Sequence, residues 1–432
     1  MNLNSLDEYR GIISDQELHA IHRNAKGLHG KHIMAINSTY QGGGVAEMIS
    51  SIIPLMNDVG IDMGWRIFHG NPDFFSITKK FHNALQGESI HFTPMKQQLY
   101  EEASRDFSTY THIDHDCVIV HDPQPLPLIK FKRKKQPWIW RCHVDLTNPN
   151  NRVWDYLKGF IIRYDMMIVS SEAYLREDLP VEQRVVLPAI DPLSPKNKDL
   201  PQDLVDKYLE KFGIPTDKPI ITQISRFDKW KDPGGVVGVY RKVKEEVDCR
   251  LVLCGSMASD DPEGLRIFDD VERQCGAATR ICGQFPDIEA EETAETECVI
   301  AGVHGGEEAG DIILITSENN ILVNTLQRSS DVIIQKSLRE GFGLTVTEAL
   351  WKGRPVVASN VGGIPAQITD GENGFLVDPL DEDGFVERII EVLDDPGLGE
   401  EVGRRGRQTV RERFLITRLI MDHLDILNYT LR

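Results

Sequence analysis

No stretch of this 432-residue chain approaches the ~18–20 consecutive apolar residues that a membrane span needs. Its opening residues, MNLNSLDEYRGII, lack a basic segment followed by an apolar core, so secretion is not expected and a cytoplasmic location is. Basic charge is in deficit. The 48 Lys and Arg stand against 67 Asp and Glu, a net charge of −19, whereas a general nucleic-acid binder needs a basic face. Cysteine is sparse and odd in number, with seven at positions 117, 142, 249, 254, 275, 282 and 298. Without a secretion signal that does not describe a disulfide framework. Neither C-x-x-C nor H-E-x-x-H occurs, and Cys275, Cys282 and His304 match no familiar zinc spacing. Cys117, Cys142 and Cys254 lie in apolar runs, where a free thiol serves as a small core hydrophobe.

What is present is ordinary for a folded chain: 41% hydrophobic and 27% charged residues, which excludes wholesale disorder. The length exceeds one domain of ~150 residues, so two domains are expected. Short apolar runs alternate with helical patterns throughout, the sign of parallel α/β units. Strands are expected at Ile33–Asn37, Met63–Phe68, Cys117–Val120, Trp138–Cys142, Met166–Val169 and Val185–Leu187 in the first half. The second half offers Ile220–Ile224, Arg250–Cys254, Ile312–Ile315, Val332–Gln335, Pro355–Ala358 and Gly374–Val377. Each set suits one doubly wound domain. Between them, Pro188–Pro201 carries four prolines in fourteen positions and cannot continue a helix. Beyond Asp381 the periodicity turns helical, over Glu382–Leu393, Gly399–Val410 and Arg413–Leu427. This tail must bury an apolar face, and packing back on the first domain is one solution. Residues 1–30 read as a helical preface with Leu18, Ile21, His22 and Ala25 on one face. The expected division is 1–190, 191–410 and a final helix at 411–432.

Charge is uneven. Pro286–Asp311 holds nine carboxylates and no Lys or Arg, which suggests a surface insertion; Lys130–Lys135 holds five cations in six positions and reads as a solvated helix end.

Three segments carry chemistry. The first, Gln41-Gly42-Gly43-Gly44-Val45-Ala46-Glu47, follows a strand and opens a helix, so its amides can approach an anionic ligand. It is neither a P-loop nor G-x-G-x-x-G, and a plain tight turn explains it equally well. The second, Ser225–Asp232, follows Ile220–Ile224 and falls at the carboxyl edge where open α/β sheets bind ligands. There Arg226 and Lys231 suit a diphosphate. The third is sharper: Arg339-Glu340-Gly341-Phe342-Gly343-Leu344-Thr345-Val346-Thr347-Glu348. A glycine-bearing loop leads into a helix, with one carboxylate in the loop and another a turn inside. Ribose diols, a diphosphate and a hexose, the parts of a sugar nucleotide, suit that combination. In the first half, His121, Asp122 and Gln124 follow one strand end, while Arg141, His143 and Asp145 cluster at the next. Both sets converge on the same edge.

Together Glu340-x7-Glu348, the Arg226…Lys231 pair and the early glycine loop resemble glycosyltransferase family 4. More closely, NSTYQGGGVAE, FHNALQG, VHDPQP, WRCHVDL, QISRFDKWKD, DDPEG and EGFGLTVTEALWKGRPV are similar to the trehalose glycosyltransferring synthases of archaea and thermophilic bacteria. The resemblance runs over nearly the whole chain and departs from the pattern at the acidic stretch. It implies an α/β GT-B fold: two Rossmann-like doubly wound domains facing each other across a cleft, with C-terminal helices packing back on the N-terminal domain. The first domain would serve the acceptor and the second the nucleotide sugar.

The implied reaction transfers glucose from ADP- or UDP-glucose to free glucose, forming α,α-trehalose reversibly and with retention. Arg226 and Lys231 would neutralise the leaving diphosphate, and Glu348 would hold the ribose. Glu340 with Gly341, Phe342, Gly343 and Leu344 would grip the donor glucose, and Gly43 and Gly44 would join the donor site. His143 matches a histidine near the reacting sugar; Asp122, Gln124, Arg141 and Asp145 are the acceptor-side candidates. Two cations at the leaving group make a structural metal unnecessary, although Mg²⁺ can act through the free nucleotide. The expected partners are these sugars and nucleotides, with no nucleic acid and no membrane; a homodimer is the expected assembly. Alternatives are the same fold with another acceptor, as in sucrose or glycogen synthesis, and a sugar-nucleotide-binding regulator without turnover.

Overall fold

Apolar runs of three to six residues, rich in Val and Ile, are long enough for strands and too short for buried helices. A computed structural model describes residues 5–40, 43–255, 262–276, 279–282, 299–301 and 310–432. The chain divides into two compact units, Met1–Ala189 with Phe414–Arg432, and Ile190–Arg413. The second break falls three residues beyond the 410/411 division suggested by periodicity, because the preceding helix continues to Arg413.

In the first unit the strands are β1 (His32–Asn37), β2 (Asp62–Ile67), β3 (Cys117–His121), β4 (Trp138–Arg141), β5 (Met166–Val169) and β6 (Glu182–Val185). They form one parallel sheet in the order β2-β1-β3-β4-β5-β6. Its helices are α1 (Asp15–Ala25), α2 (Gly44–Asp58), α3 (Pro72–Leu85), α4 (Pro94–Tyr110), α5 (Leu128–Phe131) and α6 (Asn151–Ile161). Both sheet faces are covered, as a parallel sheet requires. Met34, Ile36, Val118, Val120, Trp138 and Trp140 share one apolar core with Phe74 and Phe81 of α3 and Trp154 of α6. Strand β6 starts three residues before the expected Val185; its sequence EQRV lies on an edge, half-exposed, and so lacks the apolar run.

The second unit has β7 (Ile220–Ile224), β8 (Arg250–Gly255), β9 (Thr279–Cys282), β10 (Val299–Ala301), β11 (Ile312–Thr316), β12 (Val332–Gln335), β13 (Val356–Ser359) and β14 (Phe375–Val377). Their order is β10-β9-β11-β8-β7-β12-β13-β14, with β10 antiparallel to β9. This β9–β10 pair went unforeseen because weak periodicity hides it. Its helices are α7 (Gln202–Lys211), α8 (Pro233–Lys244), α9 (Pro262–Cys275), α10 (Asn320–Ser329), α11 (Leu344–Trp351), α12 (Glu382–Asp394) and α13 (Pro396–Arg413). The carboxylates of the acidic stretch before Asp311, together with Cys298, His304, Gln41, Gly42, Asp260 and Asp261, lie outside the described residues.

The last helix, α14 (Ile416–Thr430), belongs to the first unit, where it packs on α1 and α2. Leu419, Ile420, Leu424 and Leu427 are buried, as are Leu18, Ile21 and Ala25 of α1. Asn428 Nδ2 donates to the Asn24 carbonyl at 2.9 Å and to Asn24 Oδ1 at 3.0 Å. The structure corrects the α1 face at one position: His22 is exposed.

In the second unit, α13 crosses the turn after α11 so closely that a Cβ on Gly403 would lie 2.0 Å from the Gly353 carbonyl oxygen. Backbone cannot yield as a flexible side chain does. Gly403→Ala should therefore destabilise this unit by about 1–3 kcal/mol, the usual cost of overpacking. Urea unfolding followed by a probe confined to the second unit checks it; an unchanged midpoint would mean that α13 is free to shift.

Candidate active site

In each sheet the crossovers leave in opposite directions at one point, and the loops beyond the strands' carboxyl ends diverge there. In the second unit this occurs between β7 and β12, since β8 flanks β7 on its other side. The β7 loop carries Arg226 and Lys231, and the β12 loop carries Glu340. Hydrogen bonds join the two loops. Gln223 Nε2 donates to the Lys231 carbonyl at 3.0 Å while its Oε1 accepts from Lys336 N at 3.0 Å. Leu338 N donates to the Trp230 carbonyl at 2.7 Å, and Lys336 pairs with Asp232. Across this frame Lys231 Nζ lies 2.5 Å from Glu340 Oε2. Ser337 Oγ stands 3.4 Å from the same oxygen. Arg226 is the accessible cation, with a side chain 48% exposed and held 3.4 Å from Asp228.

Gly343 has φ 85, a left-handed conformation that a side chain would strain, and a Cβ there would crowd Glu340 Cγ at 3.2 Å. The buried Gln367 fixes this turn. Its Nε2 donates to the carbonyls of Phe342 at 2.5 Å and Gly343 at 3.3 Å, and its Oε1 accepts from Thr347 Oγ1 at 2.6 Å. In a trans peptide the N–H opposes the C=O, so the amides of Gly343 and Leu344 point away from Gln367. They are oriented to receive oxygens at the start of α11. One turn into that helix Glu348 is buried, with its Oε1 3.7 Å from Lys196 Nζ.

The first unit's switch point lies between β1 and β3. Gly43, at φ 138, precedes α2, and Gly44 is its first residue. Opposite, Asp122 adopts φ 63 and accepts from His143 N at 2.8 Å through Oδ1. Its own N–H donates to the Arg141 carbonyl at 2.8 Å, and Trp140 Nε1 donates to its carbonyl at 2.9 Å. His143 Nε2 and His121 Nδ1 share a hydrogen bond of 3.1 Å. Burial, together with the Arg141 charge, holds both imidazoles well below the usual histidine range, so the pair is neutral. Asp145 is buried and accepts from Thr147 N at 2.8 Å. Asp145 Oδ2, Gln124 Oε1 and His121 Nε2 are buried polar atoms with no hydrogen-bond partner among the described residues.

Arg141 differs from the expectation of an edge group. Its guanidinium is 1% exposed and turns onto α14, with Nη1 3.0 Å from His423 Nε2 and Nη2 3.8 Å from Met48 Sδ. Burial pulls it down to about 9 and takes His423 down to about 3. A neutral His423 that donates from Nδ1 to the Leu419 carbonyl at 2.8 Å can accept from Arg141 through Nε2.

The structure thus gathers Arg226, Lys231, Glu340 and Gly341–Leu344 at one switch point, with Glu348 a turn away. It gathers Asp122, Gln124, His143 and Asp145 at the other. Sequence reasoning missed Gln367, Lys196 and His423, which contact the site residues, and Lys336, which braces the Lys231 loop through Gln223 and Asp232; all four act through tertiary packing and carry no local motif. Among the described residues, no three His, Cys, Asp or Glu side chains form a group able to hold a metal ion, and no helix is long and apolar enough to cross a membrane.

Residues 35–176 match the family model "Trehalose synthase, N-terminal domain", and residues 205–409 match "Glycosyl transferases group 1". The trehalose synthase of Thermococcus litoralis is 43% identical over 427 residues, covering 98% of this chain and 96% of that one. The chain belongs to the trehalose synthase family. Its enzymatic class is accordingly glycosyl transfer related to trehalose. The trehalose synthase of Rubrobacter xylanophilus is 41% identical over 433 residues, covering 98% of this chain and 96% of the relative. A UDP-forming α,α-trehalose-phosphate synthase from Burkholderia xenovorans, solved with glucose-6-phosphate, superposes with a TM-score of 0.69. It is 13% identical and covers 92% of this chain and 99% of its own, so this likeness speaks to the GT-B fold.

One pH dependence follows within this family site. Burial pushes the Asp122 carboxyl up to about 7, against the downward pull of the His143 amide and Arg141. A folded value above the unfolded one means that the folded state binds this proton more tightly. The resulting stabilisation is full at acid pH and is lost as pH rises through 7. The stability of the native protein relative to Asp122→Asn should fall by about 2 kcal/mol between pH 5 and 8. Urea midpoints of both proteins across that range measure it, and a flat difference would mean that Asp122 stays ionised throughout.

Proposed function

We propose that this enzyme transfers glucose from ADP- or UDP-glucose to free glucose, making α,α-trehalose reversibly and with retention at the donor carbon. The observation that carries the reading is the Lys231–Glu340 pair at the second unit's switch point, with the accessible Arg226 on the same loop. A departing diphosphate gains negative charge as the glycosidic bond breaks, and two cations suit it. Glu340, hydrogen-bonded to Lys231, accepts from donor-glucose hydroxyls beside the amides of Gly341, Phe342, Gly343 and Leu344. Glu348 takes the ribose diol, and Gly43 and Gly44 add amides to the donor side.

His143, neutral and fixed through Asp122 and His121, donates to or accepts from the reacting sugar without carrying charge. Asp122, Gln124 and Asp145 serve the acceptor, with Arg141 beneath them. Neutral imidazoles and carboxyl groups over a single buried guanidinium already bonded to His423 offer hydrogen bonds rather than a cluster of free cations, which suits an uncharged sugar better than a phosphate dianion. That supports glucose over glucose 6-phosphate as acceptor.

In the proposed step the donor C1–O bond to the diphosphate breaks while the acceptor oxygen bonds C1 on the same face. The acceptor's proton passes to a diphosphate oxygen, which leaves a nucleoside diphosphate and the disaccharide. The protein supplies orientation and charge stabilisation. A structural metal is not needed for this step, and Mg²⁺ acts through the free nucleotide.

Lys231→Ala and Arg226→Ala should each depress kcat, because their contacts strengthen in the transition state. One such contact is worth ~3 kcal/mol, roughly a hundredfold in rate. If both variants keep kcat and only raise KM, the loop merely docks the nucleotide. Glu348→Gln should do the reverse, raising the donor KM with little change in kcat, since a ribose contact serves ground and transition states alike. Assaying glucose, fructose, fructose 6-phosphate and glycogen side by side tests the acceptor. Turnover with any of the others in preference to glucose contradicts the reading.

A further inference from the structure

The prolines of Pro188–Pro201 suggest nothing more than a join between domains, yet residues 191–199 are built into the wall of the second unit. Asp191 organises the segment: Leu193 N donates to its Oδ1 at 2.9 Å, and Ser194 Oγ and Asn197 Nδ2 donate to its carbonyl at 2.9 and 3.1 Å. Helix α10 then grips it. Asn324 Nδ2 donates to the carbonyls of Pro195 at 3.0 Å and Lys198 at 2.8 Å, and Arg328 Nη2 lies 2.9 Å from Asp199 Oδ1. Helix α11 grips it as well. Trp351 Nε1 donates to the Asn197 carbonyl at 3.2 Å, and Lys352 Nζ to Asn197 Oδ1 at 2.9 Å.

This anchoring delivers Lys196 to Glu348. The Lys196 ammonium lies 3.7 Å from Glu348 Oε1, and the two side chains are 17% and 3% exposed. A carboxylate so thoroughly removed from water is disfavoured in its charged form unless a cation stands beside it. The neighbouring Lys352 is poorly suited to that task. Its Nζ donates to Asn197 Oδ1 and, at 3.3 Å, to the Glu348 backbone carbonyl. Burial also pulls the Lys352 ammonium down, against the raising pull of the Glu348 carboxylate, which weakens it as a counter-ion. Lys196, at the margin of the buried region, keeps access to solvent on one side and faces the carboxylate on the other.

We propose that Lys196 is a positioning residue for the donor: from the 191–199 segment it holds the Glu348 carboxylate ionised and aimed to accept from the ribose hydroxyls. The proposal rests on the reading that Glu348 contacts the ribose. Only an ionised carboxylate accepts through both oxygens, so losing the ammonium weakens nucleotide binding without touching the groups at the scissile bond.

The test compares Lys196→Met, Lys196→Arg, Glu348→Gln and the Lys196→Met/Glu348→Gln double variant in the full-length protein. It uses donor-saturation kinetics and calorimetric binding of UDP and ADP between pH 6 and 9. Lys196→Met should raise donor KM and nucleotide Kd about tenfold at pH 7, equivalent to one unit of carboxyl pKa, with kcat little changed. The loss should shrink as pH rises and the carboxylate ionises unaided. Lys196→Arg should restore most of the affinity, and the double variant should bind no worse than Glu348→Gln alone. If Glu348→Gln weakens binding while Lys196→Met does not, the role of Lys196 is overturned and the ribose reading stands. If Glu348→Gln leaves binding intact, the ribose reading itself fails. A Lys196→Met defect that is independent of pH and additive with Glu348→Gln would mean a packing role and would also overturn the proposal. Should Lys196→Met not fold, Lys196→Gln carries the same comparison.

Discussion

The contact between Lys231 and Glu340 joins two loops that the sheet alone would leave to diverge. Strands β7 and β12 are neighbours, but their crossovers run to opposite sides, so nothing in the strand pairing fixes the distance between the loops beyond them. Gln223, Trp230 and the Lys336–Asp232 pair set the frame, and Lys231 Nζ closes it on Glu340 Oε2 at 2.5 Å. The pair is partly shielded from water, which strengthens the attraction and makes removal of one partner costly to the other. In the proposed reading a leaving diphosphate and the donor ring meet this alternation: cation, carboxylate, then the oriented amides of the α11 start.

The first unit solves a different problem. A buried guanidinium, two imidazoles and two carboxyl groups crowd the ends of β3 and β4, and the imidazoles meet that crowding by staying neutral. Burial holds His121, His143 and His423 neutral and lifts Asp122 to about 7. Arg141 retains a hydrogen bond to His423 on α14, the helix that ends the chain. Polar groups of low net charge can bind an uncharged sugar through directional hydrogen bonds. The C-terminal helix therefore contributes to the environment of the proposed acceptor residues as well as to the core that Leu419, Ile420 and Leu424 build with α1.

Much of this was legible in the chain. Strand β5, β7 and β12 fall on the residues that the apolar runs marked, because buried parallel strands are near-continuous runs of Val, Ile and Met. Glu340-Gly341-Phe342-Gly343 marked a glycine-bearing loop that leads into a helix, and Gly343 makes that turn at φ 85 just before α11. Four features were not legible. Edge strand β6 is half-exposed and needs no apolar pattern. The β9–β10 pair lies in weakly periodic sequence. Arg141 sits in WRCHVDL among candidate edge residues, but alternation along β4 turns its side chain onto α14, 282 positions away at His423. Lys196 was hidden most completely, because proline content reads as a linker whether or not tertiary hydrogen bonds anchor the segment.

The central claim, that this constellation moves glucose from a nucleotide to glucose with retention, is tested most directly by the product's linkage. Purified enzyme is incubated with α-linked UDP-glucose or ADP-glucose and glucose labelled with ¹³C at C1, and the disaccharide is read by NMR while nucleoside diphosphate release is followed. The account predicts that the label appears in an α,α-1,1 linkage, with one nucleoside diphosphate released per disaccharide. A β-configured bond at the donor carbon, a label outside a 1,1 linkage, or nucleotide release without disaccharide would contradict it.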